Sequence, residues 1–387
     1  MELENQPPQP ESQLTGAAGP PALAPQTDPV APDPWETRAI RWTFLGSQGL
    51  RAGWSVLAFT VLLLLFMAAA GFVFFKTHLV EAKGHFTATG ALFNEMIPFL
   101  GMLGAASVMA LVERRRNLLA FNLVGPRRTA NFFSGLAAGF LALSALVGAL
   151  TWGGWLHFGP AALSGAQIFK FGALWACAFL LVGCVEEGLF RCYLQFTLTR
   201  GINFWWALGV EALICLDLLL RGKGNGIWGV YIVALLGLAP CLVLYLKKSP
   251  GAGFWQASWV TSTLFGFIHT GNNGENWVGI FAAAFIGFVF VVSVRVTGSA
   301  WWAIGCHASW DWAETYFYGT ADSGMVATGH LLNANPAGNA FWSGGADGPE
   351  GSVLVIAVVL LLLAALLVIY GRKKTATLPA PVVEQAA

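Results

Sequence analysis

Six of the ionisable residues within or at the ends of long apolar stretches, where a charge needs a partner or a purpose, fall into three spaced groups. In chain order they are Glu186, Glu187, Arg191, His269, His307 and Asp311. A charged side chain at the centre of a bilayer costs at least about 2.5 kcal/mol on insertion scales. Carboxylates and imidazoles are also the side chains that move protons near neutral pH. These residues therefore predict either buried ion pairs or acid–base chemistry.

The first group, Glu186, Glu187 and Arg191, comes at the end of an apolar helical segment. Neighbouring residues on a helix point about 100° apart, whereas residues at i and i+4 share a face. Arg191 can therefore neutralise Glu187, which leaves Glu186 facing elsewhere. A carboxylate in an apolar, partly dehydrated cavity is suited to accept a proton from water. Glu186 is thus the candidate general base.

Each of the other two groups contains one histidine. His269 follows Phe265 by four residues and ends an apolar segment just before the polar turn at residues 271–274. His307 and Asp311 are again i and i+4, so the carboxylate can orient the imidazole or share a ligand with it. A lone histidine within a membrane is more often a hydrogen-bond partner than a catalyst. The four other histidines fall in predicted loops, whereas these two belong to spaced motifs.

The composition indicates a membrane protein. The chain is 56% hydrophobic and 11% charged, with a mean hydropathy of +0.63, and a soluble fold could not bury that much apolar surface. A bilayer core roughly 30 Å thick needs about 20 apolar residues per helix, a length that recurs along the chain. The predicted fold class is an all-α, polytopic transmembrane bundle of roughly eight to ten spans with an intramembrane polar site.

Ten apolar segments, separated mostly by short polar or basic turns, are candidates for these spans. Their approximate bounds are residues 54–75, 88–112, 132–155, 168–189, 204–220, 227–246, 254–268, 277–294, 300–318 and 352–370. With the N-terminus inside, 16 of the 21 Lys and Arg residues, Arg191 among them, fall on the inner side. This asymmetry follows the positive-inside rule and predicts that both termini are cytoplasmic.

The chain divides into four predicted parts. Residues 1–35 form a disordered Pro-rich tail that cannot bury enough apolar surface to fold. Residues 36–131 contain the first transmembrane helices and a basic cytoplasmic loop. Residues 132–370 form a helical domain that carries all six ionisable residues, and residues 371–387 are a basic and then disordered tail.

Alternating spans create a conflict about depth. They place Glu186 and His307 towards the inner side of the bilayer but His269 at the outer end of its helix. The three can meet only if the helix ending at His269 is short and its polar turn dips into the bilayer, or if one predicted span is wrong. Non-helical backbone at that depth is tolerated where it lines a water-filled cavity.

Together the three groups resemble the CAAX protease and bacteriocin-processing (CPBP) family of intramembrane proteases, also called the Abi family. The pattern of that family is Glu-Glu-x-x-x-Arg, then Phe-x-x-x-His, then His-x-x-x-Asn or Asp. The matching residues here are Glu186, Glu187 and Arg191, then Phe265 and His269, then His307 and Asp311. The lead-in at residues 297–302 and the Gly-Pro-Glu-Gly-Ser sequence at residues 348–352 also look like the family.

The resemblance implies an intramembrane endopeptidase similar to the type II CAAX prenyl proteases. Glu186 would activate the attacking water with help from His269. His307 and Asp311 would polarise the scissile carbonyl and stabilise the oxyanion. Amide hydrolysis needs such a base, a proton donor for the leaving amine and an oxyanion partner.

The same resemblance gives Glu187, Arg191 and Phe265 supporting, structural roles. Well-studied members of the family carry Asn where this chain has Asp311, and an ionised carboxylate cannot donate a hydrogen bond to an oxyanion. Asp311 is therefore either protonated or acts only by orienting His307.

A glutamate-dependent mechanism of this kind requires no cofactor. The alternative is a zinc ion held by Glu186, His269 and His307, because two histidines and a carboxylate resemble a hydrolytic zinc set. The carboxylate at residue 311 supports this alternative, since it adds a further ligand.

We expect a peptide or membrane-protein substrate, a lipid bilayer as the surroundings and no nucleic acid partner, and we expect the protein to reside in the plasma (inner) membrane. Two other function classes stay open. Buried glutamate and histidine chains also serve as proton relays, which would suit a proton-coupled transporter. A non-catalytic immunity or scaffold protein would retain the fold and bind a partner.

Overall fold

A computed structural model describes residues 35–46, 49–77, 87–115, 117–221, 226–272 and 274–371 of the chain. The tails predicted at residues 1–35 and 371–387 lie outside these ranges, apart from Trp35 and Gly371, and stay predictions. The described residues divide after Thr43 into two compact units. Most of α1 (Trp35–Phe44), an exposed helix, belongs to the first unit, and all other elements belong to the second.

The second unit is mostly helical, which confirms the predicted all-α bundle. Its helices are α2 (Ala52–Lys76), α3 (Ala88–Val112), α4 (Arg128–Trp152), α5 (Ala166–Glu187), α6 (Gln195–Thr199), α7 (Phe204–Arg221), α8 (Gly226–Val233), α9 (Ala239–Leu246), α10 (Ala252–His269), α11 (Trp277–Thr297), α12 (Trp301–Asp311), α13 (Ala340–Ser343) and α14 (Leu354–Tyr370). Three π-helical segments join α5 to α6, join α8 to α9 and extend α12, namely Gly188–Leu194, Ala234–Leu238 and Trp312–Tyr318.

Two short antiparallel strand pairs accompany the helices. β1 (Leu45–Gly46) pairs with β2 (Gly49–Leu50), and β3 (Leu156–Phe158) pairs with β4 (Ala334–Pro336). Because β3 follows α4 directly, the second pair fastens the long connection between α12 and α14 to the end of α4.

Within the described ranges, six helical runs are long and apolar enough to cross a membrane. They are Ala52–Lys76, Ala88–Val112, Arg128–Trp152, Ala166–Thr199, Gly226–Leu246 and Trp277–Thr297. The other four predicted segments also form helices (α7, α10, α12 and α14), which are shorter or more polar. The protein is therefore an integral membrane protein with helices where the apolar segments predict them.

The helix that carries Glu186 is much longer than the sequence predicts. The predicted segment ends at residue 189, where charges begin, but the helical run continues to Thr199. It continues because Arg191 is fully buried beside Glu187 and the following residues pack into a core with α2 and α3. Arg191 thus lies inside this helical run. The topology prediction counted it among the charges on the inner side, where it does not belong.

Asn122 joins the helix of the two glutamates to the helix of His307. Its side-chain amide donates to the carbonyl of Arg191 at 2.8 Å, within the π-helical segment. Its own carbonyl accepts from the backbone N–H of Ala300 at 2.9 Å, at the start of α12. One loop residue therefore fixes the relative height of the first and third motifs.

Glycines bring α4 and α12 into backbone contact. A Cβ atom at Gly135 would overlap the carbonyl oxygen of Trp302, and a Cβ at Gly139 would overlap that of Cys306. Gly305 of α12 meets the carbonyl of Phe132 in the same way. Small residues at helix interfaces allow such approach in membranes, where packing holds helices together. This seam positions His307, which lies two residues after Gly305.

Candidate active site

Three helices bring the predicted motifs to one cavity of about 330 Å³. Glu186 lies near the end of α5, His269 ends α10, and His307 with Asp311 comes from α12. All four side chains line the cavity, as does Phe265. Residues separated by up to 125 positions in the sequence thus meet in one polar space among apolar helices.

Glu187 lies behind the cavity wall and contacts two of the motifs. Its side chain is fully buried, and Oε1 is 3.2 Å from Nη1 of Arg191 and 2.9 Å from Nδ1 of His307. The contact with Arg191 is the i, i+4 pair that the spacing predicts. The contact with His307 is not visible in the sequence, because the two residues are on different helices. One carboxylate therefore balances a buried cation and holds an imidazole.

Arg191 is surrounded mainly by aromatic rings. Its guanidinium carbon lies 4.2 Å from the centre of the Phe265 ring and 5.3 Å from that of Phe290. A cation over an aromatic face is attracted by the ring quadrupole, which partly replaces lost hydration. Gly287 provides the space, because a Cβ there would lie 2.7 Å from Nη2 of Arg191. Phe265 of the second motif therefore packs against the arginine of the first.

Glu186 faces the cavity, as the helical geometry predicts. Its side chain is 29% exposed whereas that of Glu187 is fully buried. Oε2 of Glu186 lies 3.8 Å from Nε2 of His307, too far for a hydrogen bond but close enough for charge attraction. Of the adjacent glutamates, Glu186 is the one that water in the cavity can reach.

The partners of His307 define the roles of its two nitrogens. Glu187 can only accept when ionised, so Nδ1 carries a hydrogen and donates it. Nε2 then faces the cavity side, 3.5 Å from Oδ2 of Asp311 and 3.8 Å from Glu186. The ring also stacks on Phe290 at 5.7 Å between centroids. His307 is thus fixed on one edge and presents the other edge to two acidic groups, Asp311 and Glu186.

One ring nitrogen of His269 makes a hydrogen bond within its own helix. Nδ1 lies 2.7 Å from the carbonyl oxygen of Phe265, and since a carbonyl only accepts, Nδ1 carries the hydrogen. In the neutral ring, Nε2 is left with its lone pair. His269 therefore contributes one proton-accepting atom to the cavity that Glu186 also lines.

The length of the helical run resolves the depth conflict. α6 and α10 lie side by side, since Nε2 of Gln195 donates to the carbonyl of Phe254 and to Oγ of Ser258, both at 3.1 Å. From this shared end, Glu186 lies thirteen residues into its run, roughly 20 Å, and His269 seventeen residues into α10, roughly 26 Å. The predicted end at residue 189 was wrong, and with the run extended the two residues reach similar depth.

The cavity is also lined by carboxylates that do not belong to the three motifs. They are Glu95 from α3 and two residues of the connection between α12 and α14, Asp322 and Glu350. Burial raises the pKa of Asp322 to about 6, and burial followed by neighbouring Asp322 and Asp347 raises the pKa of Glu350 to about 8. Glu350 lies in the Gly-Pro-Glu-Gly-Ser sequence that looks like the family, although no role is predicted for it from the sequence. No local pattern marks Asp322.

The ligand atoms of the three predicted zinc ligands do not all lie close together. Among the described residues, the side chains whose ligand atoms all lie within 4.8 Å of one another are Glu314, Asp322 and Glu350. Glu186, His269 and His307 do not form such a group, whereas tetrahedral zinc holds nitrogen and oxygen ligands about 2.0–2.2 Å from the metal. The arrangement does not fit a zinc ion, and we derive no step through one.

A family comparison bears on the segment that carries the histidines. Residues 241–313 match the family model for type II CAAX prenyl endopeptidase Rce1-like proteins. This segment includes the second and third motifs, both of which line the cavity. The match supports membership of the CPBP family. The first motif lies before the matched segment. No curated protein and no solved structure matches the chain.

Proposed function

We propose that this CPBP-family protein is an intramembrane endopeptidase in which Glu186 and His269 activate a water molecule. The observation that carries the proposal is the meeting of Glu186, His269 and His307 around one cavity among apolar helices. They offer a base, a group that can relay a proton to the leaving amine and an N–H donor for the oxyanion, which amide hydrolysis needs. The cavity also provides room for water and a short stretch of backbone.

In the proposed reaction, Glu186 takes a proton from water as the oxygen attacks the carbonyl carbon of the substrate. The carbonyl π bond opens, and the negative charge on its oxygen is stabilised by the Nε2 edge of His307. The C–N bond then breaks, and the proton held by Glu186, with His269 as relay, passes to the leaving amine. Each group returns to its starting state when the carboxyl product leaves.

Asp311 acts through His307 in this scheme. Its Oδ2 lies 3.5 Å from Nε2 of His307, on the same edge of the ring that faces Glu186. A carboxylate there draws the Nε2 hydrogen and favours the charged imidazole, although it cannot itself donate to an oxyanion unless protonated. Asp311 is a positioning residue, and Glu187 is another.

We further propose that the substrate is a peptide or a segment of a membrane protein, and that no cofactor takes part in the hydrolysis. Apolar residues from α5, α10 and α11 line much of the cavity, which suits an apolar segment arriving from the bilayer. The basic residues near the helix ends support an orientation with both termini in the cytoplasm, and we propose the plasma membrane as its location.

The test is hydrolysis of a fluorogenic peptide library by the purified protein in detergent. Glu186→Gln keeps the size of the side chain and removes the base, so cleavage should fall by at least about 100-fold. Glu95→Gln changes another carboxyl of the same cavity and should retain activity. Phenanthroline, which removes zinc, should have no effect. Equal cleavage by wild type and Glu186→Gln would refute the proposal, and flux of protons or solute dependent on His269 would favour a transporter.

A further inference from the structure

A second acidic cluster lies beside the candidate active site. Glu314 is in the π-helical extension of α12, Asp322 is in the turn that follows, and Glu350 is in a 3-10 turn before α14 (Pro349–Gly351). One carboxylate oxygen of each lies within 4.8 Å of the others. Three separate segments therefore bring three carboxylates to one point.

Neutral donors hold one oxygen of each carboxylate. Nε1 of Trp310 donates to Oε2 of Glu314 at 3.1 Å and to Oε1 of Glu350 at 2.7 Å. The hydroxyl of Thr315 donates to Oδ2 of Asp322 at 2.7 Å. Each carboxylate is thus oriented by an outer hydrogen bond, which is how carboxylate ligands of metals are held.

Glu314 provides the observation that points to a ligand. Its side chain is completely buried, and its Oε1 atom has no hydrogen-bond partner among the described residues. The charges that act on it come from four other carboxyl groups, those of Glu350, Asp322, Asp311 and Asp347. A buried carboxylate oxygen without a donor is costly, so the site calls for a positive ligand or a proton.

The basic side chain that acts on Asp322 and Glu350 is His307. His307 is already engaged with Glu187 and lies near Glu186 and Asp311. One imidazolium cannot balance the three carboxylates of the second cluster as well. When all three carboxyls are ionised, their charge therefore exceeds what the described side chains neutralise, and a cation or protons must balance it.

We propose that Glu314, Asp322 and Glu350 bind one Ca²⁺ ion. Hard divalent cations prefer carboxylate oxygens. Ca²⁺ lies about 2.3–2.6 Å from its ligands, so two ligand atoms on opposite sides of the ion are up to about 5 Å apart, whereas Mg²⁺ at about 2.1 Å allows only about 4.2 Å. The ligand atoms of the cluster all lie within 4.8 Å of one another, a range that Ca²⁺ spans in full and Mg²⁺ only in part.

The ion has a structural role in this arrangement. It joins the connection between α12 and α14 to the end of the α12 helix, at a wall of the cavity where Asp322, Glu350 and Asp311 are all exposed to the interior. Binding therefore stabilises the loop that closes the cavity. The site is separate from Glu186 and His269 and does not depend on the proposed hydrolysis.

Direct Ca²⁺ binding tests the inference without any peptide substrate. The full chain in detergent, dialysed against a calcium chelator, should bind one Ca²⁺ per molecule, and its Tm should rise with Ca²⁺ concentration. Mg²⁺ should bind at least about tenfold more weakly. Asp322→Asn, at a half-buried turn position that tolerates the change, should lower the Ca²⁺ affinity at least about tenfold.

Two further variants test whether Ca²⁺ binds at this specific site or is attracted by acidic residues in general. Trp310→Phe leaves every carboxylate in place but removes the donor to Glu314 and Glu350, and should weaken Ca²⁺ binding about 10–100-fold. Glu211→Gln changes a fully buried carboxyl elsewhere, which accepts from Thr263 at 2.6 Å, and should leave Ca²⁺ binding unchanged. No saturable binding to the wild type at millimolar Ca²⁺, or equal affinity in Asp322→Asn, would overturn the inference in favour of shared protons.

Discussion

Nδ1 of His307 donates to Oε1 of Glu187 at 2.9 Å, and the two residues are 120 positions apart in the chain. The same oxygen is 3.2 Å from Nη1 of Arg191. The second glutamate of the first motif thus fixes the histidine of the third motif while neutralising the arginine of its own helix. Its contribution to the proposed reaction is one of positioning, which can be separated from that of Glu186.

Glu187→Gln should lower both stability and activity. The amide keeps the shape but leaves the buried Arg191 without a negative partner, and removing one partner of a buried pair costs about 3–5 kcal/mol. Thermal unfolding in detergent would measure the loss. The double variant Glu187→Gln with Arg191→Met removes both charges and should recover much of the Tm, whereas activity should stay low because His307 has lost its ionised partner. Full activity in the double variant would contradict a positioning role.

Asp311→Asn should retain at least the wild-type rate of hydrolysis. The change installs the residue that resembles the family pattern, and an amide can donate a hydrogen bond towards an oxyanion whereas a carboxylate cannot. Asp311→Ala, which offers neither contact, should lower kcat more than KM. Comparing kcat and KM for the two variants checks the prediction, which fails if Asn and Ala are equally damaging.

Gly139→Ala should destabilise the protein by about 1–3 kcal/mol, a typical cost of overpacking. The added methyl group overlaps the carbonyl oxygen of Cys306 and would push α12, with His307, away from α4. Gly148 is in the same helix, and a Cβ there meets no atom within 4 Å. Gly148→Ala is therefore the matched control and should leave Tm unchanged or slightly higher. Similar losses in both variants would mean that the glycine seam is not the cause.

Stability should fall as pH rises from about 4 to about 9 because of two loop carboxyls, with Asp347 contributing up to about pH 7 and Glu275 up to about pH 9. Burial, followed by the charge of Asp347, raises the pKa of Glu275 to about 9, and burial raises that of Asp347 to about 7. A group whose folded pKa is raised contributes stability at low pH and loses it as pH passes through that value. Glu275→Gln can donate to Asp347 without titrating, so its Tm should vary less over this range. Parallel Tm curves for wild type and variant would exclude this pair as the source.

The sequence predicts much of the fold because apolar length alone determines where helices form in a membrane. Each of the ten predicted segments coincides with a helix. The end of the helix carrying Glu186 was wrong because charges usually mark the end of a span, whereas Arg191 is buried against Glu187, Phe265 and Phe290. Local spacing cannot reveal such a tertiary environment.

In the candidate site, too, the sequence predicts contacts within one helix but not contacts between helices. Spacing on one helix predicts that Glu187 faces Arg191 and that Glu186 points elsewhere, and both relationships hold in the geometry. The contact between Glu187 and His307 depends on which helices pack together, as does the arrival of Asp322 and Glu350 from a distant loop. These features follow from helix packing, which periodicity along a single helix does not encode.

The continuous run from Ala166 to Thr199 has a consequence for any substrate that itself crosses the bilayer. Glu186 lies twenty residues from one end of the run and thirteen from the other, far from both ends. A transmembrane helix keeps its carbonyls bonded within its own backbone, so none is open to attack there. Such a substrate must unwind before it reacts. Segments with helix-weakening Gly or Pro residues near the point of cleavage should therefore be preferred.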